Sequence, residues 1–177
     1  PMLGHPILGG GTDVFLARFD ASSGALLAVE IFGTPQSEEV SDVAVDASGL
    51  TVVGQTNGDL TDDPAPAGAS SPDGFVRRYE FDSGNALGLR HSWTWQINGA
   101  STDVAHAVAS GSVGGVDQVY VAYEGYVVES GQTRVRAFVA RLPVAAPGGG
   151  GPPAATVRQL PSISLGTIPW SIVADGP

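Results

Sequence analysis

The chain has 177 residues and a net charge of −10, and its eight basic residues are all Arg. An acidic surface repels phosphate backbones, so nucleic acid is excluded as an expected partner. The absence of Cys excludes disulfides, thiolate zinc sites and cysteine nucleophiles. No apolar stretch approaches the roughly 20 residues that a membrane-spanning helix needs.

Short apolar segments separated by turn residues predict an all-β fold. The 25 Gly and 13 Pro supply the turns that many short strands require. The third predicted strand carries small and β-branched residues on both faces after Asp42, which predicts burial on both sides. In chain order we predict eleven strands, at 13–20, 25–33, 40–46, 50–56, 74–81, 86–97, 104–109, 118–123, 135–142, 155–161 and 168–174.

One motif recurs three times along the chain. Its copies are Asp13-Val-Phe-Leu-Ala-Arg-Phe-Asp20, Asp73-Gly-Phe-Val-Arg-Arg-Tyr-Glu-Phe-Asp82 and Arg136-Ala-Phe-Val-Ala-Arg-Leu142. The leading phenylalanines, Phe15, Phe75 and Phe138, are 60 and 63 residues apart. A period of this size in a strand-rich chain predicts a modular β architecture.

A second motif runs in step with the first. Its copies span 39–46, 103–109 and 170–176. Asp46 and Asp175 take the same place in the pattern and are 129 residues apart, which is two periods. In this alignment His106 stands where Asp42 stands in the first copy.

Grouping the strands by this period gives a unit of four antiparallel strands, which is the make-up of a β-propeller blade. The predicted fold class is therefore all-β, a partial β-propeller of about 2.75 blades. Residues 1–38 would be the outer strands of a preceding blade, 39–101 a complete blade, 102–166 a complete blade with an inserted hairpin loop, and 167–177 the inner strand of a following blade. Because closed propellers have about 4–8 blades, we expect a segment of a larger propeller, or one that other chains complete.

The sequence resembles a known repeat family in three motifs. These are Asp-Val-Phe-Leu-Ala-Arg-Phe-Asp-x-x-x-Gly from residue 13, Val-Ala-Val-Asp-Ala-Ser-Gly from residue 43 and Val-Val-Gly-Gln-Thr from residue 52. Together they are similar to the bacterial β-propeller repeats often abbreviated SBBP. The copy at 11–58 matches best, while the copies at 73–125 and 136–176 carry insertions. The resemblance implies a propeller, usually in a secreted or cell-surface protein, and it implies no reaction.

One loop is a candidate calcium site. Asn57, Asp59, Asp62 and Asp63 place four oxygen-bearing side chains close together, and Ca²⁺ takes six to eight oxygen ligands. The loop lacks the spacing of a calcium-binding helix–loop–helix motif, which favours a solvated loop. A calcium-stabilised surface adhesin is the functional hypothesis attached to this site, and no other cofactor is expected.

Aspartates recur at equivalent positions of the repeats. Asp13, Asp46, Asp73 and Asp175 could form a ring of carboxylates, or they could cap turns and strand ends by accepting backbone hydrogen bonds. Recurrence in every repeat favours capping, because a scaffold must repeat and an active site need not.

A binding surface is predicted from aromatic and polar side chains. Trp93 and Trp95 lie two residues apart on one strand and so face the same way. If exposed they would form a sticky patch, whereas burial between blades is the favoured alternative. The full candidate set is Trp93, Trp95, Tyr123, Tyr126, His106 and Asp42.

No catalytic residues are predicted. The chain has no Gly-x-Ser-x-Gly elbow, and without Lys it has no phosphate-binding Gly-Lys loop. The leading hypothesis is a non-enzymatic scaffold or protein-interaction module, outside the cell or on its surface, whose partners are other proteins or the remaining blades of the propeller. The alternative is a glycan-binding or polysaccharide-acting domain with a site over the propeller channel.

Overall fold

The computed structural model describes residues 11–61, 72–85, 87–97, 99, 101–145, 151–161 and 171–174. These residues form ten strands and no helix, so this part of the chain contains no helix able to cross a bilayer. In chain order the strands are β1 (Val14–Phe19), β2 (Leu26–Phe32), β3 (Glu38–Val45), β4 (Gly49–Thr56), β5 (Asp73–Phe81), β6 (Leu89–Ile97), β7 (Asp103–Val113), β8 (Val116–Glu129), β9 (Gln132–Pro143) and β10 (Thr156–Gln159).

The strands form three antiparallel sheets that do not close on one another. A two-stranded sheet contains β1 and β2. The first four-stranded sheet, called the first sheet below, has the order β3-β4-β5-β6, and the second sheet has the order β7-β8-β9-β10. The prediction of an all-β fold built from four-stranded antiparallel sheets is confirmed.

Ten of the eleven predicted strands coincide with observed strands. Three are much longer than predicted, because β7 continues to Val113, β8 continues to Glu129 and β9 begins at Gln132. A two-residue turn joins β8 to β9, with Ser130 at a φ of 53° and Gly131 at a φ of 76°. The eleventh predicted strand, 168–174, lies partly outside the described residues, and residues 171–174 are not in a strand.

Aspartate side chains close the turns of two hairpins, β1–β2 and β3–β4. In the turn between β3 and β4, Oδ1 of Asp46 accepts hydrogen bonds from the backbone N–H groups of Ser48 at 2.8 Å and Gly49 at 3.0 Å. Asp20 binds the second and third residues after it in the same way at the turn between β1 and β2. The predicted capping role is confirmed for Asp46, and Asp175 lies outside the described residues.

The two-stranded sheet repeats the outer half of the first sheet. Arg18 of β1 lies opposite Ala28 of β2, as Arg78 of β5 lies opposite Trp93 of β6. In both ladders a β-bulge follows the Arg. Arg18 is therefore the structural equivalent of Arg78, and β1 and β2 are the equivalents of β5 and β6.

The strands β3 and β7, called the inner strands below, also share a bulge. Ser41 in β3 and His106 in β7 are skipped by the pairing with the neighbouring strand. The pairing makes Ala107 the equivalent of Asp42 and His106 the equivalent of Ser41. The alignment of His106 with Asp42 is thus wrong by one residue, because the structural period here is 65 residues rather than 64.

Hydrophobic cores lie on both faces of the first sheet, which is the middle layer of the molecule. Burial of each large apolar side chain in such cores contributes about 1.5–3 kcal/mol. One core joins the first sheet to the second through Val76, Trp93, Val121 and Leu142. The other joins the first sheet to the two-stranded sheet through Phe75, Tyr79, Val14 and Phe32.

The inner strand β3 is not buried on both faces. Val43 is 52% exposed and Val45 is 66% exposed. The prediction of two-sided burial is wrong for this strand, because no described strand covers the face that carries these two residues.

Candidate functional site

A crevice of about 490 Å³ opens between the first and second sheets, at the end where β7 begins. Its walls come from the last residues of β6, the first residue of β7 and the middle of the β8–β9 hairpin. The side chains that matter for binding are Trp95, Asp103, Tyr123, Tyr126 and Phe138. The structure thus brings together three of the six predicted binding-surface residues, Trp95, Tyr123 and Tyr126.

The aromatic rings of the crevice are in contact with one another. Tyr123 and Phe138 lie opposite each other on β8 and β9, and their rings stack with centroids 5.0 Å apart. Trp95 of β6 meets the Tyr123 ring edge-on at 6.4 Å. Such pairs stabilise by about 0.5–1.5 kcal/mol beyond their buried area, so this aromatic wall is held in place before any ligand arrives.

Asp103 supplies the one carboxylate of the crevice among the described lining residues. It is only 4% exposed, and its Oδ2 accepts a hydrogen bond from the Gly99 N–H at 2.8 Å. Gly125, which lies opposite Asp103 on β8, leaves the space that this side chain fills. A Cβ on Gly125 would stand 2.4 Å from Oδ1 of Asp103.

The burial of Asp103 perturbs its acidity and that of its neighbour. Burial raises the pKa of Asp103 to about 6; the Gly99 hydrogen bond opposes this rise, and the negative charge of Asp73 adds to it. Burial also raises the pKa of Tyr123 to about 12, and the Asp103 charge adds to that rise. The crevice therefore contains a carboxyl group that takes up a proton more readily than an exposed Asp.

Asp73 lies beside the crevice and has a structural partner. Gln96 donates its Nε2–H to Oδ2 of Asp73 at 2.9 Å and accepts the Leu60 N–H at 3.0 Å. Burial raises the pKa of Asp73, the Gln96 bond lowers it, and the Asp59 charge raises it further. Asp73 thus anchors the start of β5 to β6 through a side-chain partner, and not through the backbone N–H capping that its recurrence predicts.

Trp93 belongs to the core and not to the crevice. It is 1% exposed, and its indole N–H donates to the Val144 carbonyl at 3.2 Å. Trp95 on the same face is half-buried and packs against the same core. The favoured prediction, burial of both side chains between neighbouring sheets, is confirmed for Trp93, whereas Trp95 is only half-buried.

Asp42 and His106 lie on the inner strands, away from the crevice. Oδ2 of Asp42 accepts the Val108 N–H at 3.0 Å, which ties β3 to β7. The imidazole Nε2 of His106 lies 3.6 Å from a carboxylate oxygen of Glu124 on the adjacent strand. The structure gives Asp42 a role in sheet stacking and places His106 in a polar contact within the second sheet.

The candidate calcium residues are only partly described. Asp59 accepts hydrogen bonds from the N–H and Oγ of Thr61 at 2.9 Å and 2.6 Å, which closes a local turn. The backbone N–H of Asn57 donates to Ser37, and Asp62 and Asp63 lie outside the described residues. Across the described ranges no group of three His, Cys, Asp or Glu side chains is arranged to hold a metal. Calcium binding by this loop stays a prediction.

The sequence analysis missed an ion pair that joins the two repeated motifs. The Arg78 guanidinium is fully buried and makes two hydrogen bonds to the Asp46 carboxylate, at 2.7 Å and 2.8 Å. It also donates to the hydroxyls of Ser48 and Thr51. We call this arrangement the Arg–Asp latch. The sequence contained a clue to this ion pair, because Arg78 and Asp46 occupy fixed positions in the first and second repeated motifs.

The latch determines the charge state of Asp46. Burial raises the pKa of Asp46, but the hydrogen bonds from Arg78 and Ser48 and the Arg78 charge outweigh burial and hold that pKa well below its usual range. The carboxylate therefore stays ionised beside its partner and locks the β3–β4 turn to β5.

No protein-family model matches the sequence, and no curated protein is significantly similar to it.

Proposed function

We propose that this chain is a segment of a β-propeller of the bacterial repeat type, with about 2.75 blades, and that it acts as a non-enzymatic scaffold for a protein partner. On this proposal the first and second sheets are consecutive blades, and the two-stranded sheet is the outer half of the preceding one. The similarity to secreted and cell-surface repeats supports a location outside the cell or on its surface.

The observation that best supports a propeller architecture is that the inner strands lie side by side. Asp42 binds the Val108 N–H, and the Ser110 hydroxyl donates to Asp46 at 3.2 Å. Residue 174 lies beside β7 in turn, because the Ala174 Cβ is 2.8 Å from the position that a Cβ on Gly111 would take. Inner strands that adjoin in this way, one per sheet, are what radial stacking of blades requires.

The surface offered to a partner is the part of the β8–β9 hairpin that extends beyond the first residue of β7. This projecting hairpin, residues 126–135, carries the exposed apolar side chains Val128 (68%) and Val135 (40%). An ion pair links Arg136 at its base to Glu129 beside the turn, and the Arg136 hydrogen bond lowers the pKa of Glu129. A hairpin with exposed apolar side chains is suited to a protein interface, whose core is apolar and whose rim is polar.

Affinity capture from the source organism tests this proposal. The wild-type chain is compared with a double variant, Val128→Glu and Val135→Glu, which keeps the hairpin but makes its surface charged. We expect a partner that the wild type retains and the variant loses, while Val157→Glu on the exposed strand β10 serves as the matched control. Equal capture by all three proteins, or no partner at all, would contradict the proposal.

A second candidate function is glycan binding in the crevice. Half-buried Trp95 and Tyr126 offer ring faces for the apolar side of a sugar, and Asp103 offers an acceptor for its hydroxyls. A glycan array with the wild type and Trp95→Ala tests it, with Phe81→Ala as a control at a distant exposed aromatic. Binding that only the Trp95 variant loses supports this function, and the absence of binding rejects it.

A further inference from the structure

One edge of β1 lacks a neighbouring strand among the described residues. β1 pairs with β2 on one side only, whereas its equivalent β5 pairs with β4 on one side and β6 on the other. No described strand pairs with the backbone N–H and C=O groups on this edge, and such an edge is a template for another strand.

An apolar groove of about 560 Å³ lies alongside this edge. It is lined by Leu16 of β1, Val43 and Val45 of β3, Leu50 of β4 and Leu89 of β6. Both valines are more than half exposed. The groove is therefore wide enough and apolar enough to take the side chains of an added strand that packs over the first sheet.

The positive charge of Arg18 indicates that a strand bound in the groove carries an acidic side chain. Its equivalent Arg78 is fully buried in the Arg–Asp latch. Arg18 instead is exposed, donates one weak hydrogen bond to the Leu87 carbonyl at 3.4 Å, and forms no ion pair with a described carboxylate. Arg18 thus lies at the edge of the groove in the position that Arg78 takes in the Arg–Asp latch, but without an aspartate partner among the described residues.

We infer that this groove accepts a β-hairpin of the β3–β4 type from a further repeat of the same class, whose Asp-x-Ser turn binds the Arg18 guanidinium. The inference rests on the proposed propeller architecture and goes beyond it by naming the docking edge and the residue that recognises the hairpin. The occupant carries a carboxylate that complements Arg18 and apolar side chains that cover Val43 and Val45.

The equivalence of the ladders also determines the register. In the first sheet Gly54 lies opposite Phe75 and Thr51 opposite Arg78. The incoming strand therefore runs antiparallel to β1, with its equivalent of Gly54 opposite Phe15 and its equivalent of Thr51 opposite Arg18. Docking in this register buries the Arg18 guanidinium and makes two charge-assisted hydrogen bonds, which are among the stronger kinds in proteins.

The chain itself supplies the probe, a synthetic peptide of residues 38–56 that contains β3, the Asp46 turn and β4. The peptide is titrated into the full chain, and amide hydrogen exchange is followed in residues 14–19. We expect saturable binding with slowed exchange in that segment. Arg18→Ala and a peptide with Asp46→Ala are each expected to weaken binding at least about tenfold, which corresponds to about 1.4 kcal/mol.

The two changes are also combined in a double-mutant cycle. If Arg18 and the peptide carboxylate bind each other, the second change has little further effect once the first is made. Arg134→Ala, which alters an exposed Arg of the projecting hairpin, is the matched control and leaves peptide binding unchanged. Because Arg18 is exposed, its replacement leaves the fold intact, which circular dichroism verifies.

A second experiment reduces the entropy cost of bringing a free peptide to the chain, because the hairpin is covalently attached. The hairpin sequence is joined ahead of residue 1 through a flexible Gly-Ser linker, so that its effective concentration is in the millimolar range. We expect this fusion to raise the melting temperature, and we expect Arg18→Ala to abolish the gain. The inference is overturned if the peptide does not bind and the fusion does not raise the melting temperature. It is also overturned if the peptide binds the Arg18→Ala variant as tightly as the wild type. Partner capture by the projecting hairpin is measured separately, so failure here is distinguishable from failure of the proposed scaffold function.

Discussion

Glu38 and Asp103 occupy the same position in consecutive sheets, as the first residues of the inner strands β3 and β7. Each is a buried acid whose carboxylate accepts a hydrogen bond of 2.8 Å from the backbone N–H four residues earlier, that of Thr34 or of Gly99. Each therefore fixes the path by which the chain enters its sheet. The two sites differ in their other partners, because Glu38 also accepts bonds from the hydroxyls of Thr34 and Thr56.

The raised pKa of Asp103 predicts that folding stability falls as the pH rises from about 4 to about 6. The folded chain binds a proton at Asp103 up to a pKa of about 6, whereas the unfolded chain releases it near the ordinary value of 3.8. Ionisation in the folded state therefore costs stability, up to about 3 kcal/mol. Asp103→Asn keeps the acceptor for the Gly99 N–H and is expected to be more stable than the wild type at pH 7.

Urea denaturation of both proteins at pH 4, 5, 6 and 7 measures this effect. The difference in the free energy of unfolding between Asp103→Asn and the wild type should grow over that range. Asp117→Asn, at an exposed position, controls for the loss of a negative charge. A difference that stays constant with pH would show that Asp103 titrates in the folded chain as it does in the unfolded one.

Breaking the Arg–Asp latch is predicted to be strongly destabilising. Asp46→Ala leaves the Arg78 guanidinium, with a side chain 0% exposed, without its counter-ion. Loss of one partner from a buried pair costs about 3–5 kcal/mol. The matched control is Glu80→Ala, which removes one of the two acidic partners of Arg90, a residue whose side chain is 60% exposed. Denaturant unfolding should show a change below about 1 kcal/mol for the control.

The latch also predicts a loss of stability in acid. The pKa of Asp46 is depressed in the folded chain, so the stability that its ionised form contributes is fully present above the unfolded pKa near 3.8 and is lost as the pH falls. The wild type should therefore lose stability below about pH 4 more steeply than Asp46→Asn. Parallel curves for the two proteins would show that the Asp46 carboxylate makes no net charge-dependent contribution.

The two tryptophans of β6 should respond differently to truncation. Trp93→Ala empties a fully buried site in the core between the first and second sheets and should cost about 3–5 kcal/mol. Trp95 is only half-buried and lines an open crevice, so its loss leaves a smaller cavity and should cost clearly less. Thermal or urea unfolding of the two variants measures the contrast, and equal losses would show that Trp95 contributes as much to the core as Trp93.

Removing the Asp42 side chain should loosen the stacking of the sheets. Its Oδ2 is the acceptor for the Val108 N–H on the neighbouring inner strand. Asp42→Ala is expected to cost about 1–2 kcal/mol and to speed amide exchange at Val108. Asp42→Asn retains an acceptor oxygen and should stay close to the wild type. Unchanged exchange in Asp42→Ala would show that water or another group satisfies this N–H.

The strands and the repeat were predictable because they depend on local pattern. Alternation and turn residues locate ten strands, and the recurring Phe marks the strand equivalent in each repeat. The strand predicted at 118–123 ends before Gly125. In the structure Gly125 lies within β8 and makes room for the Asp103 carboxylate. The contact between Gly125 and Asp103 joins residues 22 positions apart, so the local sequence pattern does not predict it.

The candidate site was predictable only in part for the same reason. Trp95, Tyr123 and Tyr126 were identified as aromatic candidates, but Asp103 was not, since its burial depends on three strands meeting. Asp42 and His106 were grouped with them as residues of the predicted inner strands, and a fixed period applied across a bulge aligned them with each other one residue out of step. The bulge inserts one unpaired residue in each inner strand, and sequence alone does not reveal which residue is skipped.

That skipped position is occupied by Ser41 in one inner strand and by His106 in the other. Since it lies outside the ladder, its side chain has no directly paired residue on the neighbouring strand. Each of the two described inner strands thus has one position whose side chain can vary without disturbing a cross-strand pair.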